Sequence, residues 1–161
     1  MLFAAPLQRL TRRQELPISL DQAWEFFSRP ENLAKITPPD LGFEITSPPR
    51  PEMYAGMIVS YRLRPLAGIG VPWVTEITQV KQPLFFVDEQ RSGPYRFWHH
   101  QHHFEPAGGG VKMIDLVHYQ LPFGRPAQLL LGRLIARRLE AIFDFRERAM
   151  NEFFPPVDPR N

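Results

Sequence analysis

Between residues 43 and 121 the hydrophobic residues of this chain recur with a period of two, and strong turn signals separate the repeats. Successive side chains of a β-strand point to opposite faces of a sheet, so this period predicts strands. Clusters of Pro and Gly at 65–72, 92–94 and 107–110, together with the pair at 82–83, interrupt the pattern and predict short antiparallel connections. The predicted strands span residues 43–46, 57–64, 73–80, 85–91, 96–105 and 111–121.

Helical patterns lie on both sides of this region. Residues 7–16 alternate loosely as a first strand, and Ser19 is positioned to cap a short helix over 20–27, which ends before Pro30. One more helical turn is expected over 32–36. A long helix is predicted over 127–153, where 3–4 spacing defines an apolar side formed by Ile135, Leu139, Ile142, Phe145, Ala149 and Phe153.

The order of these elements predicts an α+β fold. A curved antiparallel sheet of about seven strands would wrap around the long C-terminal helix, with two short helices after the first strand. We expect a single domain over residues 1–161, with its core at about 7–154 and a polar, Pro-rich tail at 155–161. A cavity between the sheet and the helix is the expected place for function.

The composition excludes several classes of function. The chain has no Cys, which rules out disulfides, thiolate nucleophiles and Cys-ligated zinc. Its 19 basic residues are spread among 17 acidic ones, so we expect no nucleic-acid partner. The apolar start is too short for a signal peptide and no stretch is long enough for a membrane span, which predicts a cytoplasmic protein without stable membrane insertion. A monomer and a homodimer both fit this composition.

Four of the five histidines lie between Trp98 and Phe104, in the sequence Trp-His-His-Gln-His-His-Phe. On a strand, His100 and His102 would share one face with Trp98 and Phe104, while His99 and His103 would lie on the other face. Imidazole titrates near neutral pH and is a common metal ligand. The run therefore predicts a polar site without specifying its kind.

Pairing this strand with the next one selects its inner face. A four-residue loop at 107–110 places apolar faces on the same side, with His102 opposite Asp115 and Trp98 opposite Tyr119. A three-residue loop would place the apolar faces on opposite sides, so we prefer the first register. An inward Asp in an apolar row is costly unless it is paired, and His102 is its expected partner.

Three interpretations of this pair stay open. It could be a buried structural pair that fixes the strand register, or it could bind the polar group of a ligand in a cavity. Metal binding is the third, because two His at i,i+2 and a carboxylate resemble a first coordination shell. The spacing fits the outward histidines equally well, so we predict no metal and no cofactor. Glu76, Asp88 and Gln90, on the two preceding strands, are further candidates for the site.

Beyond the order of the elements, six segments are distinctive: Ser19–Phe27, Phe86–Gln90, Gly93–Tyr95, Trp98–His102, Met113–Asp115 and Leu121–Gly124. With them the chain resembles the START-like, or SRPBCC, superfamily with its helix-grip fold, and in particular a bacterial branch of ligand-binding SRPBCC domain proteins. The superfamily includes polyketide cyclases and dehydratases, lipid-transfer domains and plant Bet v 1-like proteins. The resemblance covers about residues 7–154 and implies a deep hydrophobic cavity between the sheet and the long helix.

We therefore expect a protein that binds a small hydrophobic or aromatic molecule, or a lipid, in this cavity. The alternative is a polyketide cyclase/dehydratase-like enzyme, in which His102, oriented by Asp115, is the general acid/base. The sequence does not decide between a binding protein and an enzyme. The expected ligand-binding residues are Glu76, Asp88, Gln90, Trp98, His100, His102, Phe104, Asp115 and Tyr119.

Overall fold

The computed structural model describes residues 5–48, 52–66 and 69–155. Seven strands and three α-helices follow one another along these residues, together with two short 3-10 turns, Ala34–Ile36 and Pro39–Leu41. The strands are β1 (Gln8–Leu16), β2 (Glu44–Ile45), β3 (Met57–Leu66), β4 (Ile69–Lys81), β5 (Phe85–Ser92), β6 (Phe97–Ala107) and β7 (Gly110–Gln120), and the helices are α1 (Leu20–Phe27), α2 (Pro30–Leu33) and α3 (Gly124–Phe153).

The strands form a single curved antiparallel sheet in the order β1-β7-β6-β5-β4-β3-β2. From β2 to β7 each strand pairs with its neighbour in sequence, whereas β1 pairs with β7 and forms one edge of the sheet. Register shifts interrupt the β3–β4 and β4–β5 pairings, and such bulges bend and twist a sheet. The predicted α+β architecture, with two short helices after the first strand, is confirmed.

The β6–β7 hairpin has the register that the alternation of apolar faces predicts. His102 lies opposite Asp115, His100 opposite Val117 and Trp98 opposite Tyr119. The strands extend further than expected, to Ala107 and Gly110, so the connection has two residues rather than four. The register is the same in both cases because the loop is one residue shorter at each end, so that Pro106 still lies opposite Val111.

The structure corrects two other predicted boundaries. The region 65–72 is not one long turn, because β3 continues to Leu66 and β4 begins at Ile69. The C-terminal helix begins at Gly124 rather than at residue 127. The predicted tail at 155–161 lies almost wholly outside the described residues. None of the helices in the described part of the chain is long and apolar enough to cross a membrane.

Ser19 caps α1 as predicted. Its hydroxyl accepts from the backbone N–H of Gln22, and the Gln22 side chain accepts from the backbone N–H of Ser19. This reciprocal pair satisfies two N–H groups that a helix end would otherwise leave without partners. The cap fixes α1 against one end of the sheet, where Ala23 and Trp24 are buried in the core.

Helix α3 covers the inner face of the sheet with most of the predicted stripe and with additional residues. Leu139 and Ala149 are buried as predicted, and Ile135, Ile142 and Phe145 pack against the core. Phe143, Arg146 and Met150 are also buried, whereas Phe153 is 47% exposed. The hydrophobic core divides into two clusters along the sheet. One lies beneath α1 and the end of α3, and the other packs Val117, Tyr119 and Leu121 against Leu139 and Phe143.

Candidate functional site

A pocket of about 430 Å³ lies between the inner face of the sheet and α3. Its walls are mostly apolar and aromatic, and polar side chains gather on the strands at its floor. The exposed side chains of Phe123, Leu131 and Leu134 stand at its rim, where α3 begins. The lining includes Tyr61, Trp73, Thr75, Asp88, Trp98, His100, His102, Ile135 and Arg146.

Three neighbouring strands bring four polar side chains together at the floor. In the β5–β6 pairing Asp88 lies opposite His100, and in the β6–β7 pairing His102 lies opposite Asp115. The two imidazole rings are neighbours on one face of β6, with ring centroids 3.7 Å apart. The two carboxylates therefore flank a pair of histidines. We call these four residues, Asp88, His100, His102 and Asp115, the polar cluster.

Asp115 contacts both histidines through a single oxygen. His100 Nε2 donates a 2.8 Å hydrogen bond to Asp115 Oδ1. His102 Nδ1 lies 3.0 Å from the same oxygen, at an angle that does not complete a hydrogen bond. His102, the expected partner of Asp115, is thus within ion-pair distance of it, and His100 adds a hydrogen bond that the sequence did not predict.

Asp88 contacts the opposite nitrogen of each ring. His102 Nε2 donates a 2.7 Å hydrogen bond to Asp88 Oδ2, and His100 Nδ1 lies 3.5 Å from that oxygen. The Asp88 side chain is 15% exposed, against 5% for Asp115. Asp88 is thus the carboxylate that lines the pocket, while Asp115 lies behind the histidines.

Arg146 completes this arrangement from α3, and the sequence analysis missed it. Its Nη1 lies 3.4 Å from Asp115 Oδ1, and its guanidinium carbon is 5.0 Å from the centre of the Phe143 ring. Arg146 is only 8% exposed. Its position three residues after Phe143 and three before Ala149, on the buried side of the helix, was the available signal.

The mutual contacts shift the pKa values of the cluster. Burial raises the pKa of Asp115, but the hydrogen bond from His100, the close contact with His102 and the charge of Arg146 outweigh it and hold that pKa well below its usual range. Burial and the charge of His102 lower the pKa of His100. For His102 burial also lowers the pKa, yet the contacts with Asp115 and Asp88 outweigh it and raise that pKa. His102 is therefore the more basic of the two rings.

Aromatic rings hold the cluster in place. Phe86 stacks on His102 with ring centroids 4.1 Å apart and an angle of 20° between the planes. On the other side, Trp98 makes an edge contact with His100 and another with Trp73. Tyr61 and Thr75 share a 2.7 Å hydrogen bond on the facing wall. The pocket is consequently an aromatic enclosure with one charged end.

Four of the predicted site residues line the pocket, and a fifth supports them. Asp88, Trp98, His100 and His102 are lining residues, and Asp115 contacts both histidines from behind.

The other four predicted residues have different positions. Glu76 lies on the outer face and binds Arg91 at 2.5 Å, because the strand turns Thr75 and Ile77 inward instead. Gln90 bonds to the backbone of Tyr95, accepting from its N–H at 3.1 Å and donating to its oxygen at 2.6 Å. Phe104 is packed in the core beneath α1, against Trp24 and Phe27, and Tyr119 is packed in the second core cluster.

The two remaining histidines of the run lie on the outer face, as predicted. His99 Nδ1 donates a 2.7 Å hydrogen bond to Glu89, and His103 Nε2 donates to Gln101 at 2.9 Å. The His99 side chain is 22% exposed. The run thus contributes two histidines to the pocket and two to the surface of the sheet.

The donor atoms of Asp88, His100 and His102 all lie within 4.8 Å of one another. Two imidazoles and a carboxylate are a donor set typical of zinc and non-haem iron. Among the described residues this is the group whose donor atoms converge closely enough for a metal ion. The absence of a metal remains a prediction from the sequence.

The architecture is that of the Bet v 1-like, helix-grip class of folds. A ginseng major latex-like protein from Panax ginseng superposes with a TM-score of 0.66 at 12% identity, covering 93% of this chain and 99% of its own. Protein Ms6760 from Mycobacterium smegmatis gives 0.63 at 16% identity, with 92% and 99% covered. TTHA0849 from Thermus thermophilus gives 0.62 at 18%, with 91% and 95% covered.

These similarities define the fold and leave the chemistry open. No family model matches the chain, and no curated protein matches it. The helix-grip fold predicted from the sequence is confirmed.

Proposed function

We propose that this protein binds a small hydrophobic or aromatic molecule in the pocket between the sheet and α3. The observation that carries the proposal is the combination of an apolar, aromatic pocket of about 430 Å³ with the polar cluster on its wall. Ligand sites are typically concave and apolar, with a few polar groups that orient the ligand. A core built for stability alone would be filled by side chains at this position.

The polar cluster defines which polar group of the ligand is bound. Burial raises the pKa of Asp88, but the electrostatic effect of His100, the hydrogen bond from His102 and the charge of Arg146 outweigh it, so the pKa is lowered and Asp88 is ionised. An ionised carboxylate only accepts hydrogen bonds. The ligand therefore presents a hydroxyl, phenol or amine to Asp88 and its apolar body to Trp73 and Trp98.

Filling the pocket tests this function. Ile135 lines the pocket, whereas Leu130 lies on the same helix and is 83% exposed. We expect Ile135→Trp to abolish binding of 2-naphthol, a bicyclic phenol, and to remove any small molecule retained in native mass spectrometry. Leu130→Trp should bind like the unsubstituted protein. Equal binding by the two variants would exclude the pocket as the binding site.

The second candidate is catalysis in the same pocket by a cyclase- or dehydratase-like enzyme. It is favoured by the position of His102 between two carboxylates, which orient an imidazole for proton transfer. Turnover of an enolisable polyketide-type carbonyl compound should then be lost in His102→Gln and retained in His103→Gln. Binding without turnover would leave the protein in the first class.

A further inference from the structure

The two histidines of the polar cluster are oriented by one carboxylate and converge on another. His100 Nε2 and His102 Nδ1 lie 2.8 and 3.0 Å from Asp115 Oδ1. Their opposite nitrogens, His100 Nδ1 and His102 Nε2, lie 3.5 and 2.7 Å from Asp88 Oδ2. Each ring therefore has one nitrogen towards the interior of the protein and one towards the pocket-lining carboxylate.

We propose that Asp88, His100 and His102 form a binding site for a divalent transition-metal ion, with Asp115 as the supporting carboxylate. A histidine that binds a metal almost always donates its other N–H to a carboxylate, a carbonyl or water, which fixes the ring and its tautomer. Here a single Asp115 oxygen is within reach of that N–H on both rings. The donor set of two imidazoles and one carboxylate suits Zn²⁺ or Fe²⁺.

The two carboxylates have different roles in the structure from those considered in the sequence. In the metal site considered from the sequence, the third ligand was Asp115, the carboxylate across the hairpin, and the outward histidines matched the spacing equally well. In the structure Asp115 lies behind the rings, and Asp88, on the other neighbouring strand, faces their free nitrogens. The outward histidines have no equivalent of this double bracing, because the residue between them is the amide Gln101, which donates to His99 Nε2 at 3.2 Å and accepts from His103 Nε2 at 2.9 Å.

The dimensions of the cluster are close to those that a metal requires. Ligand bonds of about 2.1 Å at tetrahedral or octahedral angles place donor atoms about 3.0–3.4 Å apart. The distances from Asp88 Oδ2 to the two rings, 2.7 and 3.5 Å, lie on either side of this range. The two ring nitrogens lie within 4.8 Å of each other, so the rings would move towards the ion as it binds, and Asp88, which borders the pocket, would follow them.

The charges of the cluster are compatible with a cation. The carboxylates of Asp88 and Asp115 are accompanied by one guanidinium, that of Arg146, which lies 3.4 Å from Asp115. A histidine that binds a metal must be deprotonated, so a divalent ion would take the place of any proton between Asp88 and the rings and would supply the counter-charge of Asp88. Its remaining coordination positions would face the pocket. A hydroxyl or carbonyl oxygen of a bound molecule would then reach the metal directly.

Metal titration of the full-length chain, purified without a histidine tag and treated with EDTA, tests this site. We expect one Zn²⁺ per chain by elemental analysis after loading and desalting, and a single-site isotherm in calorimetry. His100→Gln and Asp88→Asn should each weaken this binding at least about 100-fold, since each removes a ligand. Asp115→Asn should weaken it about 10- to 100-fold through the loss of support for the rings.

His99→Gln and His103→Gln are the matched controls, because they remove the outward histidines of the same strand. Their Zn²⁺ affinity should stay within about threefold of the unsubstituted protein, and circular dichroism should show every compared variant to be folded. Asp88→Asn, at the pocket surface, keeps the test valid if a histidine variant does not fold. Less than stoichiometric Zn²⁺, or an equal loss in the control variants, would overturn the proposal. The titration contains no apolar ligand, so its outcome is independent of the proposed binding function.

Discussion

His100 and His102 share one oxygen of Asp115, which lies 2.8 Å from a nitrogen of the first ring and 3.0 Å from a nitrogen of the second. Alternation along β6 places both rings on one face, and the hairpin register places Asp115 opposite His102. This shared contact holds the polar cluster together, and the first two predictions concern it.

Replacing Asp115 with Asn should destabilise the protein strongly. The variant leaves Arg146 without its buried counter-charge and removes the carboxylate that both histidines contact, and breaking a buried ion pair costs about 3–5 kcal/mol. Urea denaturation measures the change in the free energy of unfolding. Asp144→Asn is the control, because it breaks an exposed pair with Arg12 at 3.2 Å and should cost under about 1 kcal/mol. Similar losses in the two variants would contradict a buried charge network.

Acid should destabilise the metal-free protein through the same carboxylates. The pKa values of Asp115 and Asp88 are lower in the folded chain than the value of about 3.9 for an unfolded Asp. Their stabilising contribution is complete above that unfolded value and is lost as the pH falls through the folded values, because the unfolded chain then binds more protons. Urea midpoints between pH 6 and 2, in EDTA, should fall less steeply for Asp115→Asn than for Asp144→Asn. Parallel curves would show that the cluster is not the cause.

Phe104 should affect stability and leave ligand binding unchanged. The side chain is 1% exposed and packs against Trp24 and Phe27 in the core. Phe104→Leu should lower the free energy of unfolding by about 1–3 kcal/mol, with the affinity for 2-naphthol retained. Trp98→Leu, on the same face of β6, should weaken 2-naphthol binding because Trp98 lines the pocket. Fluorescence titration and urea denaturation measure the two effects, and a loss of affinity in Phe104→Leu would contradict its place in the core.

The sequence predicted the parts of the site that depend on local rules. The period of two and the turn at 107–110 were sufficient to place His100, His102 and Asp115 on the inner face. Phe104 shares that face, but whether a position contacts the pocket or the core depends on how α1 covers the sheet. That packing is a tertiary property which alternation does not encode.

The charge of a side chain and the alternation of a strand did not predict the orientation of two residues, Arg146 and Glu76. Arg146 was not recognised because arginines on an amphipathic helix usually face solvent, whereas this one faces a buried carboxylate. Glu76 was placed in the site although its strand turns it outward towards Arg91. The bulges in β4, between Val74 and Thr75 and between Ile77 and Gln79, have no clear signature in the sequence.

The three tryptophans allow the central claim, a ligand pocket between the sheet and α3, to be tested in one experiment. Trp73 and Trp98 line the pocket, whereas Trp24 packs against Phe86 and Phe104 in the core. Each indole N–H gives one resolved signal in a ¹H–¹⁵N correlation spectrum of the labelled protein. We predict that 2-naphthol shifts the signals of Trp73 and Trp98 in a saturable manner and leaves that of Trp24 in place. No shift at saturating 2-naphthol, or equal shifts of all three signals, would contradict the account.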